Sequence, residues 1–401
     1  MSTQIHGISI VKILFFMLFI GAVGQISADI YLPSLPAITV YFNTDNTTIQ
    51  FSIAAYMFGF AVAQLLYGPI SDRFGRRLCI LWGLVVFMMG TIICVFAISP
   101  MFLIVGRLIQ GFGSSACVVS TRAIGRDSFK GKQLAKISSL LMIGYTLLMS
   151  SSPIIGGYIE HYLNWRVNFM FLLIYAIMAF ICAWFFLPET NRFLNSHATK
   201  PKVLFQNYVH IISNKVFLGS VICAGICYAG IISYLTAAPF LMQKIIGLSP
   251  LQFGWLSCVT AAAFISSGYI NSKLISYFDI KILVYVGLTC ALIAGSIMLL
   301  FAMLHIINIL VIMVPVFIFV FGCGFVFGNV YMYAVTPFAK MAGASGALFG
   351  CLQIGLAVVA SSVIAVLPET SQIPLAGMFV ALGLIGLLSF RFLVSRNLES
   401  E

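Results

Sequence analysis

Apolar runs of about the length that crosses a hydrocarbon core recur along the whole chain, with short polar breaks between them. Read from those breaks, six spans fall at 10–38, 48–69, 77–98, 101–122, 134–158 and 165–187. Six more fall at 216–241, 251–272, 280–303, 306–334, 342–366 and 373–394. A backbone in lipid must satisfy its own hydrogen bonds, so spans of this kind are helices. The longest polar segment, 188–214, carries Arg192, Lys200 and Lys202. It divides the chain into two six-helix bundles, 1–187 and 215–401, with the segment itself as their linker.

Composition agrees. Hydrophobic residues make up 61% of the 401 and charged residues only 8%, with a mean hydropathy of +1.09. That excludes a soluble globule and defines an all-α polytopic membrane protein. The net charge of +11 does not point to nucleic acid, because the cations sit between spans and no basic patch interleaved with aromatics occurs. Placing both termini in the cytoplasm puts 18 of the 21 Lys and Arg on that side, Arg122 among them, with Arg126 and Lys130 to Lys136 read as anchors. Arg166 and Lys244 then fall outside, and Glu160, His161 and Arg166 read as solvated groups of the outer surface. Val11–Gly24 followed by Ile26-Ser27-Ala28 has some look of a cleavable leader, but the apolar stretch continues to Ile38, so it reads as an uncleaved first span. The ten cysteines lie in or beside apolar runs as small hydrophobes. Cys223 and Cys227 share a helix face, but nothing completes a metal set; neither a metal nor a cofactor is expected.

Against this background one turn stands out, Gly68-Pro-Ile-Ser-Asp72-Arg73-Phe-Gly75-Arg76-Arg77, with Asp72, Arg73, Arg76 and Arg77 packed into six positions. Within the spans, ionisable groups are costly and mark function by default. Asp29 in the first span and Arg107 in the fourth lie at similar depths, so they could pair across the bundle. Gln25 lies one turn before Asp29, and Tyr31, Pro33 and Pro36 follow it. Arg107, Gln110, Gly111 and Ser114 recur at helical spacing, a polar stripe expected to face a watery cavity. Asp29 is the one carboxylate deep in a span, which makes it the leading proton carrier, with burial and Arg107 acting on its proton affinity in opposite senses.

These motifs carry a resemblance. The 68–77 turn resembles the signature loop of the major facilitator superfamily. Asp29-Ile-Tyr-Leu-Pro-Ser-Leu-Pro36 and Arg107-Leu-Ile-Gln110-Gly111 resemble motifs of the Bcr/CflA branch of its drug:proton antiporters. Ala-Ala-Pro239-Phe-Leu, Leu248–Gly254 and Ala342–Gly350 are similar to that branch as well. Pro153, Gly156 and Gly157 match the end of the fifth-helix antiporter motif, whose three earlier glycines are replaced by Ser139, Leu148 and Ser152. At an offset of 200, Gly68 falls on Gly268 and Arg73 on Lys273, but Asp72 falls on Ser272. The repeat Leu-Pro-Glu-Thr at 187–190 and 367–370 reads as chance.

The resemblance implies a proton-coupled antiporter that exports small amphipathic molecules or drugs across the bacterial inner membrane by alternating access. Asp29, Arg107 and Gln110 would couple protons. Gly68, Asp72, Arg73, Gly75, Arg76, Arg77 and Asp127 would form a conformational latch, Asp72 accepting from the start of the helix near Ala342 and Arg76 or Arg77 pairing with Asp127. Gln25, Tyr31, Ser114, Tyr228, Tyr234, Asn329, Tyr331 and Tyr333 are the candidates for the substrate cavity, with Gln353 beside them. Protons, a small-molecule substrate and the bilayer are the partners expected, and a monomer is the default. An exporter of an endogenous metabolite such as a siderophore or amino acid remains open, as does a proton symporter. An enzyme does not fit, for no intramembrane His, HExxH, GxSxG or phosphate loop is present.

Overall fold

A computed structural model describes residues 4–5, 8–191, 201–368 and 370–398. Arg192 and Lys200 of the expected linker, and Glu369 of the second Leu-Pro-Glu-Thr, lie outside them. Among the described residues, twelve helices are long and apolar enough to span a membrane. The first is broken: α1 (Ile10–Asp29) ends at the carboxylate, a 3₁₀ turn covers Leu32–Ser34, and α2 (Leu35–Tyr41) completes the span. The expected single helix over 10–38 is therefore corrected. Its break has a sequence cause. Pro33 lacks the N–H that would meet the Asp29 carbonyl, and Pro36 repeats the effect one turn on.

Spans two to six are α3 (Asn46–Phe74), α4 (Arg76–Val95), α5 (Pro100–Ser128), α6 (Gly131–Tyr162) and α7 (Trp165–Phe186). A short helix, α8 (Pro201–Ile212), precedes α9 (Lys215–Phe240), which runs into a π turn at Leu241–Ile245 just beyond Pro239. Span eight is α10 (Pro250–Trp255) with α11 (Ser257–Leu274). The rest are α12 (Ile280–Met303), α13 (Ile309–Val335), α14 (Ala342–Val366) and α15 (Ile373–Ser389), the last leading through a π turn at Phe390–Ser395 to α16 (Arg396–Leu398). Near the N-terminus Gln4–Ile5 pairs antiparallel with Ile8–Ser9.

Helix starts follow their capping residues. Asp45 accepts from the Thr48 amide at 3.2 Å, and Ser249 with Gln252 forms a reciprocal capping box ahead of Pro250. Small residues set the closest crossings. A Cβ on Gly83 would lie 2.2 Å from that of Ala116, and one on Gly90 would lie 2.4 Å from the Gln110 amide nitrogen, so α4 and α5 touch backbone to backbone.

Several hydrogen bonds join spans one to six to the later spans at the ends assigned to the outer side. Thr47 donates to the Ala365 carbonyl at 2.8 Å, Gln50 to Thr236 at 3.0 Å, Gln243 to Pro33 at 3.0 Å and Lys244 to the Asn46 side chain at 2.5 Å. The helix-five motif belongs to the same closure. Gly157 sits against the Pro250 carbonyl, Gly254 sits against that of Pro153, and Ser257 donates to the Ser150 carbonyl at 2.6 Å.

Candidate functional site

The break after Asp29 is held in place by helix five. A Cβ on Gly156 would lie 1.7 Å from the Ile30 carbonyl oxygen, so only glycine lets α6 lie on the exposed backbone of the break. Asp29 is buried, 3% exposed, at the last position of α1. It faces protein rather than lipid.

Arg107 lies nearby but is not its salt-bridge partner; among the described residues the two side-chain ion pairs both belong to Arg76. The expected Asp29–Arg107 contact is replaced by a cradle. One Arg107 nitrogen donates to the Ser27 carbonyl at 3.0 Å, the Ser27 hydroxyl at 3.3 Å and the Gln110 side chain at 2.5 Å. The guanidinium lies 4.2 Å from the Tyr31 ring centroid and 4.1 Å from that of Tyr56. Each desolvated cation–π contact contributes about 2 kcal/mol. Together they offset part of the cost of burying the charge without a carboxylate. Arg107 Nε and Nη2 are buried and unbonded, two donors left for another acceptor.

The rest of the fourth-helix stripe is equally enclosed. Gln110 donates to Thr91 at 2.8 Å, Tyr56 donates to the Gly24 carbonyl at 2.8 Å, and its hydroxyl meets that of Ser114 at 2.9 Å. Ser114 also donates to the Gly111 carbonyl at 2.9 Å. The stripe thus faces α1, α3 and α4 rather than open water, which corrects the expectation of a wetted face. Ser27, Tyr56 and Thr91 were missed. Each is a hydroxyl in an apolar span, indistinguishable by sequence from packing residues.

The cavity candidates divide. Tyr31 is fully buried and hydrogen-bonded to Ser52 at 3.1 Å. Tyr234 is buried with its hydroxyl 3.3 Å from Met313 Sδ, and Asn329 is buried, donating to Asn271 at 3.1 Å and to the Phe325 carbonyl at 2.8 Å. Gln25, Tyr228, Tyr333 and Gln353 are half-buried, and Tyr331 is exposed. Helix α9, which carries Tyr228, packs against the Leu32–Ser34 turn of the break and against α2.

At the far end of α3, the 68–77 turn folds upon itself. Gly75, at φ +99°, reverses the chain between α3 and α4. Arg76 donates to Asp127 at 2.9 Å, to Asp72 at 2.5 Å and to Ser71 at 2.7 Å. Of the two expected partners for Asp127 it is Arg76 that binds; Arg77 reaches the Trp184 carbonyl. Asp72 does not cap α14 as expected: it is bonded to Arg76, and among the described residues the N-cap of that helix, Met341, has no side-chain cap bond. Arg73 stacks 4.9 Å from the Phe74 ring centroid, and Gly68 lies beside Ala347 of α14.

The acid that caps a helix here is Glu189. It accepts from the Arg76 amide at 2.9 Å and the Arg77 amide at 3.1 Å, at the positive N-terminus of α4. Thr190 bonds to Asp127 at 3.5 Å and Asn191 to the Asp72 carbonyl at 3.1 Å. The first Leu-Pro-Glu-Thr is therefore bonded into the charged cluster of the 68–77 turn. Arg166 is another correction. It is pinned to the Val95 and Ala97 carbonyls at 3.2 and 2.9 Å and stacked on Trp165, not merely solvated.

A twelve-helix fold with a broken first span, a buried Asp–Arg neighbourhood and a charged turn after span two defines a secondary-transporter class, and comparison with known proteins assigns it. The major facilitator superfamily pattern matches residues 17–360, and the chain belongs to that family. It is 31% identical over 387 residues, 96% of either chain, to multidrug resistance protein D of Escherichia coli K12. It is 26% identical over 389 residues to a bicyclomycin resistance protein homolog of Haemophilus influenzae, covering 96% of this chain and 98% of that one. These relatives agree with the expected drug:proton antiporter branch. Among solved structures, the E. coli xylose transporter XylE in a partially occluded inward-open conformation superposes with a TM-score of 0.75. At 12% identity, over 95% of this chain and 97% of that one, it shares the fold.

Proposed function

We propose that the chain exports small amphipathic molecules, drugs among them, across the bacterial inner membrane in exchange for protons, as a monomer with both termini in the cytoplasm. The observation that carries this is Asp29, a buried carboxylate at a helix break, beside an arginine with two unbonded donors. Breaks of this kind are where transporters build their sites. Protonated, Asp29 has no need of Arg107, the arrangement seen here. Deprotonated, it turns onto the free Arg107 donors or onto a substrate. Proton and substrate then exclude one another, which is antiport. Gln110 holds Arg107 in place, and Tyr228 across the pathway is the leading substrate contact.

Residues 1–187 and 215–401 act as the two rocking bodies, with 188–214 linking them. The contacts of Thr47, Gln50, Gln243 and the Pro153–Gly157 motif with the later spans support reading this as a state closed on the outer side. The Asp72–Arg76–Asp127–Glu189 cluster keeps the inner ends of spans two, three, four and six together as one unit while the bodies move. The relatives' names place drugs first among cargoes.

The test is transport in inverted vesicles from cells without their own exporters, using a panel of antibiotics and dyes under an imposed proton gradient. Wild-type uptake that collapses with the gradient and is lost in Asp29→Asn is expected. Full gradient-driven activity in that variant refutes the assignment, and transport in the opposite direction indicates a symporter.

A further inference from the structure

Glu160 stands one turn beyond Gly156 on α6, at the end assigned to the outer side. Successive helix positions turn by about 100°, so its side chain points between the directions of Gly156 and Gly157. Gly156 lies on the Ile30 carbonyl of the first-span break, and Gly157 on the Pro250 carbonyl of α10. Glu160 is therefore aimed into the seam where spans one to six meet the later spans. It is half-buried rather than solvated, and its Oε2 is sealed from solvent without a hydrogen bond. Ser34, the last residue of the 3₁₀ turn, approaches the Glu160 carboxyl. The fully buried Asn168 of α7 donates to the Ser34 hydroxyl at 2.9 Å, while its own Oδ1, also sealed, makes no bond. The corner thus holds two enclosed acceptors with no donor bonded to either. An ionised carboxylate is costly to enclose in that way; a proton on Glu160 removes the charge and adds a donor.

No cation substitutes for that proton. Among the described residues the side-chain ion pairs belong to Arg76, at the opposite end of the bundle. Arg166 of α7 is tied to the Val95 and Ala97 carbonyls, and Lys244, in the π turn after α9, to Asn46. On the break, Asp29 adds only a further acid, and Tyr31 is turned to Ser52 and Arg107. Helix α10 has no titratable side chain, and α11 carries its one cation, Lys273, at its far end. His161, next on α6, is exposed and packed on the Tyr162 ring. We propose that Glu160 is a second proton-binding site, filled while the outer seam is closed and emptied to the outside when α6 and α10 part. The proposal rests on reading this structure as closed on the outer side, and it gives the external proton a direct hold on that closure. The sign follows from linkage. The closed seam binds one proton more than the open one, so acid favours closure. Each unit of rising pH, across the interval between the two states' proton affinities, favours opening by up to tenfold.

Two measurements on the purified full-length protein test this, each in wild type, Glu160→Gln and Asp29→Asn. An infrared pH titration reads the carbonyl stretch of protonated carboxyl groups. Backbone hydrogen exchange over residues 30–36, 153–160 and 250–257, with labelling times corrected for the intrinsic effect of pH, reads the seam. Wild type should lose protection as pH rises, by up to tenfold per unit, together with a protonated-carboxyl band. Glu160→Gln, permanently neutral, should stay protected across the range and lack that band, and Asp29→Asn should keep both responses. A wild-type seam indifferent to pH, or a pH response unchanged in Glu160→Gln, overturns the proposal. So does protection that follows sodium concentration at fixed pH, which assigns the corner to a metal cation. A response lost in Asp29→Asn but kept in Glu160→Gln overturns it as well, and leaves the Asp29 reading standing. If Asp29→Asn instead keeps gradient-driven transport, the Asp29 reading fails, while the band lost in Glu160→Gln still supports the second site.

Discussion

Gly156→Ala is the substitution whose effect is most directly worked from coordinates. The added methyl would sit 1.7 Å from the Ile30 carbonyl oxygen, 2.7 Å from its carbon and 3.3 Å from the Ile30 Cα. A carbon and an oxygen in ordinary contact stand roughly 3.3 Å apart, so α6 must retreat by well over an ångström or the break must re-form. Neither obstacle is a flexible side chain. Overpacking of this kind costs about 1–3 kcal/mol, and rigid backbone puts this case at the upper end. Alanine is intrinsically the better helix former by about 1 kcal/mol, which offsets only part of that cost. Gly355 in α14, where an added Cβ meets nothing within 4 Å, supplies the control. Gly156→Ala should lower the unfolding midpoint in detergent and remove proton-driven transport, because the displaced break carries Asp29. Gly355→Ala should match or exceed wild-type stability and keep activity. A Gly156→Ala protein with wild-type stability and transport would refute the claim that this contact sets the break.

Glu189→Gln keeps one acceptor oxygen for the α4 amides, turns an NH2 donor toward the other and loses the charge at the α4 N-terminus; it should destabilise by about 1 kcal/mol, within the range for caps and helix-terminal charges, and Glu189→Ala by more, read by denaturant titration. Arg76→Gln removes a side chain that is 8% exposed from carboxylates that are 24% and 46% exposed. Because those acids are partly wetted, the loss should be about 1–2 kcal/mol, not the 3–5 of a sealed pair, together with slowed transport. Asp45, at the start of α3, has its carboxyl held below the usual range chiefly by the Thr48 hydroxyl. A depressed folded value means its contribution is present above about pH 4 and fades as pH falls further. Asp45→Ala should therefore narrow the stability gap to wild type as the pH drops, and a gap that widens toward acid contradicts the assignment.

The fold was legible because lipid leaves so few choices: twelve apolar runs can only be twelve helices. The charged cluster of the 68–77 turn was half legible. In so apolar a chain Asp72, Arg76 and Asp127 could hardly avoid one another, but Glu189 meets Arg76 across more than a hundred residues, and its tetrapeptide recurs at 367–370. The break at Asp29 was written in Pro33 and Pro36, residues that were noted without drawing the backbone consequence. For Arg107 the helical face was right and its surroundings were not. A guanidinium can be satisfied by Tyr31, Tyr56 and carbonyls, and aromatic residues in an apolar span give no sign of which cation they will hold.

Proton movement by the purified transporter tests the central claim most directly. A drug that the vesicle assay finds transported is added to unbuffered detergent solutions of wild type and Asp29→Asn, and released protons are read with a pH-indicating dye. Proton release from wild type on binding, and none from Asp29→Asn, is the predicted result. Equal release from both proteins contradicts the account.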